Sequence, residues 1–251
     1  MKILFVGDIH NHMYMFDDIQ KLDNQFNFDK IICLGDYVDD WNTTNAQSLA
    51  TLNNIILLKK ENPDKYTFLL GNHELSYLGF PCSGHQQHMQ NLMEHTLTEH
   101  IDIFDLYAIV NVNNKEYVCT HAGITNDFIN QKLDGEHKWK LNLQIWNENK
   151  LHFIGNLTCC SYLRGGRDEF SSFVWADLKE HRYINLREKP IIPYQIIGHT
   201  PVRFITHLDG LEHNYIFIDT HSTYRDGTSY GDKSYLIWNE DRFISVLNKE
   251  V

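Results

Sequence analysis

Lys2-Ile3-Leu4-Phe5-Val6-Gly7-Asp8-Ile9-His10 and Lys30-Ile31-Ile32-Cys33-Leu34-Gly35-Asp36 share one pattern: an apolar run, a glycine, then a side chain able to hold a metal. Three further runs end in a similar way: Phe68-Leu69-Leu70-Gly71-Asn72-His73, Tyr117-Val118-Cys119-Thr120-His121 and Gln195-Ile196-Ile197-Gly198-His199. Each is short and rich in β-branched or aromatic residues, which predicts strands at Lys2–Gly7, Lys30–Gly35, Tyr66–Gly71, Glu116–Thr120, Tyr194–Gly198 and Tyr215–Asp219. Helix-like segments at Met13–Leu22 and Thr43–Lys60 separate the first three; in the second, Leu49, Leu52, Ile55, Ile56 and Lys59 recur at helical spacing. Strand, helix, strand, helix, strand reads as βαβ units and a parallel sheet.

Asn113-Asn114 reads as a hairpin turn, so the middle of the chain turns antiparallel. Val202–Leu208, Ser234–Trp238 and Arg242–Leu247 are further strands, the last two forming a C-terminal hairpin across Asn239-Glu240-Asp241. The expected fold class is α/β: a two-sheet β-sandwich of mixed strands, one sheet largely parallel and one meander-like, flanked by helices. Residues 1–251 read as one domain, and the poorly patterned stretch at about 134–193 as a capping insertion.

The 251 residues are 42% hydrophobic and 22% charged, which excludes a disordered tail, a collagen-like repeat and a coiled-coil rod. The longest apolar runs are strand-sized, so no membrane association is expected. Met1-Lys2-Ile3 leads into Asp8 and His10 too early for a signal-peptide core. Five cysteines without a C-x-x-C pair fit reduced thiols, and the expected compartment is the cytoplasm. The formal charge of −11 argues against non-specific nucleic-acid binding, which needs the opposite sign.

In an open α/β sheet the ligand crevice lies beyond the carboxyl ends of the strands. Asp8, Asp36, Asn72, His121 and His199 would converge there, with His10 beside Asp8. A lone Gly-Asp after a strand is usually only a turn; five such ends in order are not explained by independent turns. Carboxylate, imidazole and amide donors without thiolate suit divalent manganese, iron or zinc. Six donors are too many for one ion and suit two sharing a bridge. Two divalent ions and two aspartates leave roughly +2, which attracts a phosphate dianion into an acidic protein. A two-metal clamp stabilises both the attacking and leaving oxygens of an in-line displacement, so phosphoester hydrolysis is the expected reaction.

Gly7-Asp8-Ile9-His10, Gly35-Asp36-Tyr37-Val38-Asp39, Gly71-Asn72-His73-Glu74, Thr120-His121-Ala122-Gly123 and Gly198-His199-Thr200 resemble the calcineurin-like metallophosphoesterases. More narrowly they resemble the serine/threonine phosphoprotein phosphatases and their bacterial and phage relatives. The resemblance implies that Asp8 and His10 bind a first metal, Asp36 bridges, and Asn72, His121 and His199 bind the second. It implies that His73 protonates the leaving oxygen, with Asp39 holding its tautomer, and that a metal-bound hydroxide attacks without a covalent phosphoenzyme. The cofactors would be two divalent ions, manganese first, with iron or zinc as the other fits. The substrate would be a phosphoprotein or a small phosphoester. A symmetrical diadenosine tetraphosphatase is the runner-up activity, and a non-catalytic metal-binding scaffold the alternative of another class.

Two departures from that branch stand out. Asp40 and Trp41 occupy the places where it usually has Arg and Gly, so one phosphate clamp is missing. Arg164 or Arg167, in the Gly165-Gly166 segment, is expected to replace it. His221, where the family often has Gly, is a further candidate for lining the pocket. His85-x-x-His88, with His95 and His100, mimics metal spacing but reads as a polar helix face.

Overall fold

The computed structural model describes residues 1–41, 43–80, 90–187, 189–210 and 213–247. The chain begins with β1 (Lys2–Val6), α1 (Tyr14–Phe26), β2 (Lys30–Cys33), α2 (Asn45–Glu61) and β3 (Tyr66–Leu69). As expected of βαβ units, β1, β2 and β3 pair in parallel. A capping box opens α2, with the Thr44 hydroxyl accepting from the Gln47 amide and the Gln47 side chain accepting from that of Thr44. Helix α1 runs four residues beyond the predicted end at Leu22, stopping where Asn27 turns left-handed at φ 52°.

There follow α3 (Asn72–Tyr77), α4 (Gln90–Glu99), β4 (Phe104–Asp105), β5 (Ala108–Val112), β6 (Lys115–Thr120) and α5 (Asn126–Lys132). Asn113 and Asn114 take φ of 49° and 58°, the geometry of the hairpin turn predicted there. Then come α6 (Trp139–Glu148), α7 (Lys150–Phe153), α8 (Leu178–Arg187), β7 (Tyr194–Ile197), β8 (Thr206–Asp209), β9 (Asn214–Phe217), β10 (Ser234–Asn239) and β11 (Arg242–Leu247).

One sheet has the order β11-β10-β1-β2-β3-β4, the other β5-β6-β7-β9-β8. Mixed sheets were expected, but the second is not a meander: β6, β7 and β9 are parallel. The connection from β6 to β7 carries α5 to α8, and a helical crossover of that length returns the chain in the same direction. The C-terminal hairpin does not extend this sheet either; β10 pairs antiparallel with β1 and closes the first. The predicted strand at Val202–Leu208 shrinks to Thr206–Asp209, because Val202 N–H donates to Asp219 O (2.8 Å) outside any ladder.

Alternation along the strands divides the core. Ile3, Phe5, Ile32, Leu34 and Leu69 from one sheet meet Val110, Tyr117, Cys119, Ile196 and Ile216 from the other. Leu4, Val6, Ile31, Cys33 and Phe68 face the opposite way, into a cluster with Ile19, Leu22, Leu52 and Ile55 of the helices. Trp139, Leu143, Trp146, Phe173 and Val174, from the segment read as an insertion, join that same cluster. The carboxyl ends of β1, β2, β3, β6 and β7 therefore open on one side, with their following loops meeting there.

Candidate active site

Glycine permits the loops to come this close. A Cβ on Gly71 would run into the carboxylate and backbone nitrogen of Asp36, and one on Gly198 would lie 2.5 Å from Asp8 Oδ1. Beyond the glycines the backbone is bent further: His10, Asp36, Asp39 and His199 have φ of 43°, 51°, 62° and 61°. Non-glycine residues rarely take such values, and of the eleven described residues that do, these four carry predicted site side chains.

Asp36 sits at the centre and is buried. Its Oδ2 lies 3.3 Å from His121 Nε2 and 3.9 Å from His10 Nε2, while its Oδ1 accepts from His73 N–H at 2.9 Å. His10 Nδ1 donates to Asp39 O (2.7 Å) and His121 Nδ1 to Leu34 O (2.8 Å). Each bond fixes the tautomer that leaves Nε2 facing Asp36 with a free lone pair. His199 presents Nδ1 instead, 3.1 Å from His121 Nε2, and its backbone N–H donates to Asp8 Oδ1 at 2.9 Å. Asp8 Oδ2 approaches His10 Nε2 at 3.8 Å.

Asn72 completes the second group. With its oxygen inward, its amide faces His121 Nε2 at 3.0 Å; with its nitrogen inward, the amide donates to that atom, to His199 Nδ1 (2.9 Å) and to Asp36 Oδ2 (3.2 Å). An inward oxygen would add one more lone pair to two imidazoles and a carboxylate converging on one point. Protons or a cation must reconcile them.

Donor atoms of His10, Asp36 and His73 lie within 4.8 Å of one another, as do those of Asp36, His121 and His199. Asp36 belongs to both groups. The donors are nitrogen and oxygen only, a set that fits divalent manganese, iron or zinc.

In the metal-free chain protons stand in for those ions. Burial opposes charge on His10, but Asp36, Asp8 and Asp219 outweigh it and raise its pKa to about 9. Burial likewise opposes charge on His121, and Asp36 and Asp8 raise it to about 9. Despite burial, His121 and His73 hold Asp36 well below the usual carboxylate range. Asp8 is pushed well above it by burial and by Asp219. His199 is held neutral by burial and by the guanidinium of Arg164.

His73 Nδ1 lies 3.2 Å from Asp39 Oδ2, as a positioned acid requires, and its ring stands edge-on to His10 at 5.0 Å. Arg164, of the two predicted clamps, reaches the site: it donates to Thr200 Oγ1 (2.8 Å) and His199 O (3.2 Å), and its Nε faces Asp177 Oδ2 at 3.0 Å. Arg167 is exposed on the loop that carries it. Asp40 binds His12 Nε2 (3.0 Å) and accepts from Thr223 Oγ1 (3.3 Å), so it ties two loops together. His221 is buried behind the site, with Nδ1 3.3 Å from Tyr14 Oη and its ring 4.6 Å from that of Tyr235. His95 lies on α4, while His85 and His88 are outside the described residues.

Sequence reasoning assigned no role to Glu74. Its carboxylate, fully buried, accepts from the backbone N–H of Asp36 (3.0 Å), Tyr37 (2.8 Å) and Gly71 (3.0 Å), holding two of the site loops together. Its place in Gly71-Asn72-His73-Glu74, three residues after a helix-capping position, was the available signal. Asp219, at the end of β9, was also missed; it is buried, accepts from Ser222 Oγ (2.8 Å) and acts electrostatically on Asp8 and His10.

A sequence model of the family described as Calcineurin-like phosphoesterase matches residues 1–203. Over 124 residues the chain is 26% identical to a protein phosphatase 2A catalytic subunit of Dictyostelium discoideum, covering 49% of this chain and 38% of that protein. It is also 26% identical over 124 residues to the serine/threonine-protein phosphatase 6 catalytic subunit of Drosophila melanogaster, covering 49% and 40%. The matched stretch thus spans less than half the length of these curated relatives. A cold-active protein-tyrosine phosphatase from a psychrophilic Shewanella superposes with TM-score 0.61 at 15% identity, covering 100% of this chain and 78% of that one. A protein serine/threonine phosphatase from Saccharomyces cerevisiae gives TM-score 0.53 at 11% identity, covering 98% and 79%. Both are likenesses of fold.

Proposed function

The chain belongs to the calcineurin-like phosphoesterase family, and from that premise we propose that it is a dinuclear metal-dependent phosphomonoesterase of the phosphoprotein-phosphatase type. One observation carries the reading: Asp36 Oδ2 faces His10 on one side and His121 on the other, while His73, backed by Asp39, bonds its Oδ1 through the backbone N–H. Asp8 and His10 would hold one cation, Asn72, His121 and His199 the other, with Asp36 between them. Two such ions, manganese, iron or zinc, supply an acidified water and a positive field for phosphate.

The chain's own groups do the rest. His73 donates its Nδ1–H to Asp39, a carboxylate that supports the imidazolium, and in that form Nε2 carries a second proton for the leaving oxygen. Arg164, held by Thr200 and the His199 carbonyl, places a cation beside the metal ligands and serves as the phosphate clamp that Asp40 cannot be. A pocket of about 330 Å³ lies against Arg164, Thr200 and Pro201, with Thr223, Tyr224 and Tyr230 opposite; it receives the alcohol part of the substrate. The segment at 134–193, which supplies Arg164, acts as a cap within one domain spanning 1–251.

The substrate is accordingly a phosphoprotein or a small phosphoester. No described helix is long and apolar enough to cross a membrane. Cys33, Cys119, Cys159 and Cys160 are free thiols, which supports a cytoplasmic place for the protein. The test is turnover, with added manganese, of phosphopeptides and aryl phosphate against dinucleoside polyphosphates. Release of phosphate from the monoesters is expected. Cleavage of the polyphosphates alone would point to the diadenosine-tetraphosphatase chemistry, and turnover of none to a scaffold.

A further inference from the structure

His73 and Tyr77 are four residues apart on α3 and so lie on one face of the helix. Both reach the same carboxylate. Asp39 Oδ2 faces His73 Nδ1 at 3.2 Å, and Asp39 Oδ1 accepts from the Tyr77 hydroxyl at 2.6 Å. Tyr77 is wholly buried, and Asp39 is 1% exposed. Water therefore does not compete for Oδ1, and a short bond to a carboxylate in such a place is strong and directional.

Asp39 is held at its other end as well. Its left-handed backbone at φ 62° is braced by the His10 Nδ1 bond to its carbonyl (2.7 Å). Its carboxylate orientation, however, is set by Tyr77 on one oxygen and His73 on the other. Without the hydroxyl, Oδ1 would be left buried without that donor, and the carboxyl group would gain a rotation that draws Oδ2 away from His73.

We propose that Tyr77 is a positioning residue for the proton-donating step: it fixes the Asp39 carboxylate that accepts from His73 Nδ1–H, so that the imidazolium holds its other proton, on Nε2, turned to the leaving oxygen. The inference rests on the phosphomonoesterase reading. It concerns one step of it, transfer of the His73 Nε2 proton to the oxygen whose bond to phosphorus breaks, leaving His73 neutral until solvent returns a proton.

That step has a signature which a merely structural tyrosine lacks. An alkyl phosphate leaves as a basic alkoxide and needs the proton; p-nitrophenyl phosphate leaves as a stable phenolate and does not. General-acid assistance contributes roughly 10²–10⁴-fold, and mispositioning the acid removes part of it. Tyr77→Phe keeps the buried ring and removes only the hydroxyl. With thermal unfolding and metal content checked against the unaltered protein, kcat for an alkyl phosphate should fall roughly tenfold or more at nearly unchanged KM. For p-nitrophenyl phosphate kcat should stay within about twofold.

Equal losses on both substrates would mean a general disturbance of the site, and no loss on either would mean that Asp39 needs no help; each overturns the inference alone. Should Tyr77→Phe unfold, Tyr77→Leu or Tyr77→Met, which also lack a donor, must show the same split between substrates, or the inference fails. An unaltered protein that hydrolyses neither substrate overturns the phosphoesterase reading, and this inference with it.

Discussion

Asp36 joins the two halves of the site, its Oδ2 facing both His10 and His121 and its Oδ1 bonded to the His73 amide. Asp36→Asn keeps the shape and the left-handed backbone but removes the charge. Metal content by elemental analysis should fall below two ions per chain, and kcat by at least about 10²-fold. His221 offers a different test, because burial, with His12 and Lys233 nearby, lowers its pKa to about 3. Its unfolded value is near 6.5, so the unfolded chain gains a proton that the folded chain refuses as pH falls. Stability should therefore decline below about pH 6.5, approaching 1.4 kcal/mol per pH unit down to about pH 3. His221→Gln lacks that term. Denaturant melts of the metal-free proteins should show its deficit against the unaltered chain shrinking between pH 6.5 and 4; a constant deficit would mean that His221 is not buried as neutral imidazole.

At the scale of elements, what is legible in the sequence is the set of strand ends. Apolar runs closing on Gly-Asp, Gly-Asn-His, Thr-His or Gly-His carry their chemistry locally, so Asp8, Asp36, Asn72, His121 and His199 stand out without any knowledge of their contacts. Contacts between distant elements leave no such trace. Nothing around Arg164 says that it will donate to Thr200, 36 residues on, nor around Asp40 that it will meet Thr223, 183 residues on. The same holds for sheet membership: β10 pairs with β1 at the far end of the chain, a choice made by packing rather than by either strand's pattern. Arg164 gives the sharper kinetic prediction. Arg164→Ala should lower kcat/KM for a phosphomonoester at least about tenfold, with Lys a poor substitute, because an ammonium cannot keep the anchors on Asp177, Thr200 and the His199 carbonyl while also facing the phosphate. Arg167→Ala should leave kcat/KM near its original value; the reverse order in steady-state kinetics would move the clamp to Arg167. Gly71→Ala, at the turn between β3 and α3, should cost metal binding as well as stability, since its Cβ displaces Asp36.

For the molecule as a whole, a chain of formal charge −11 concentrates buried histidines and aspartates at one end of two sheets. Without metal, protons on His10 and His121 balance the carboxylates. Their contribution to stability is complete below about pH 6.5, the unfolded value, and is lost as pH rises through about 9. Metal binding must displace those protons. Titration calorimetry at pH 7 in buffers of different ionisation enthalpy should show release of about two protons per chain, with affinity rising toward pH 9. The most direct test of the shared-aspartate centre is a crystal structure of the manganese-soaked protein, read by anomalous scattering. Two peaks about 3.5–4 Å apart are predicted, with Asp36 touching both, Asp8 and His10 on one, and Asn72, His121 and His199 on the other. A single peak, or two ions that do not share Asp36, would contradict the account.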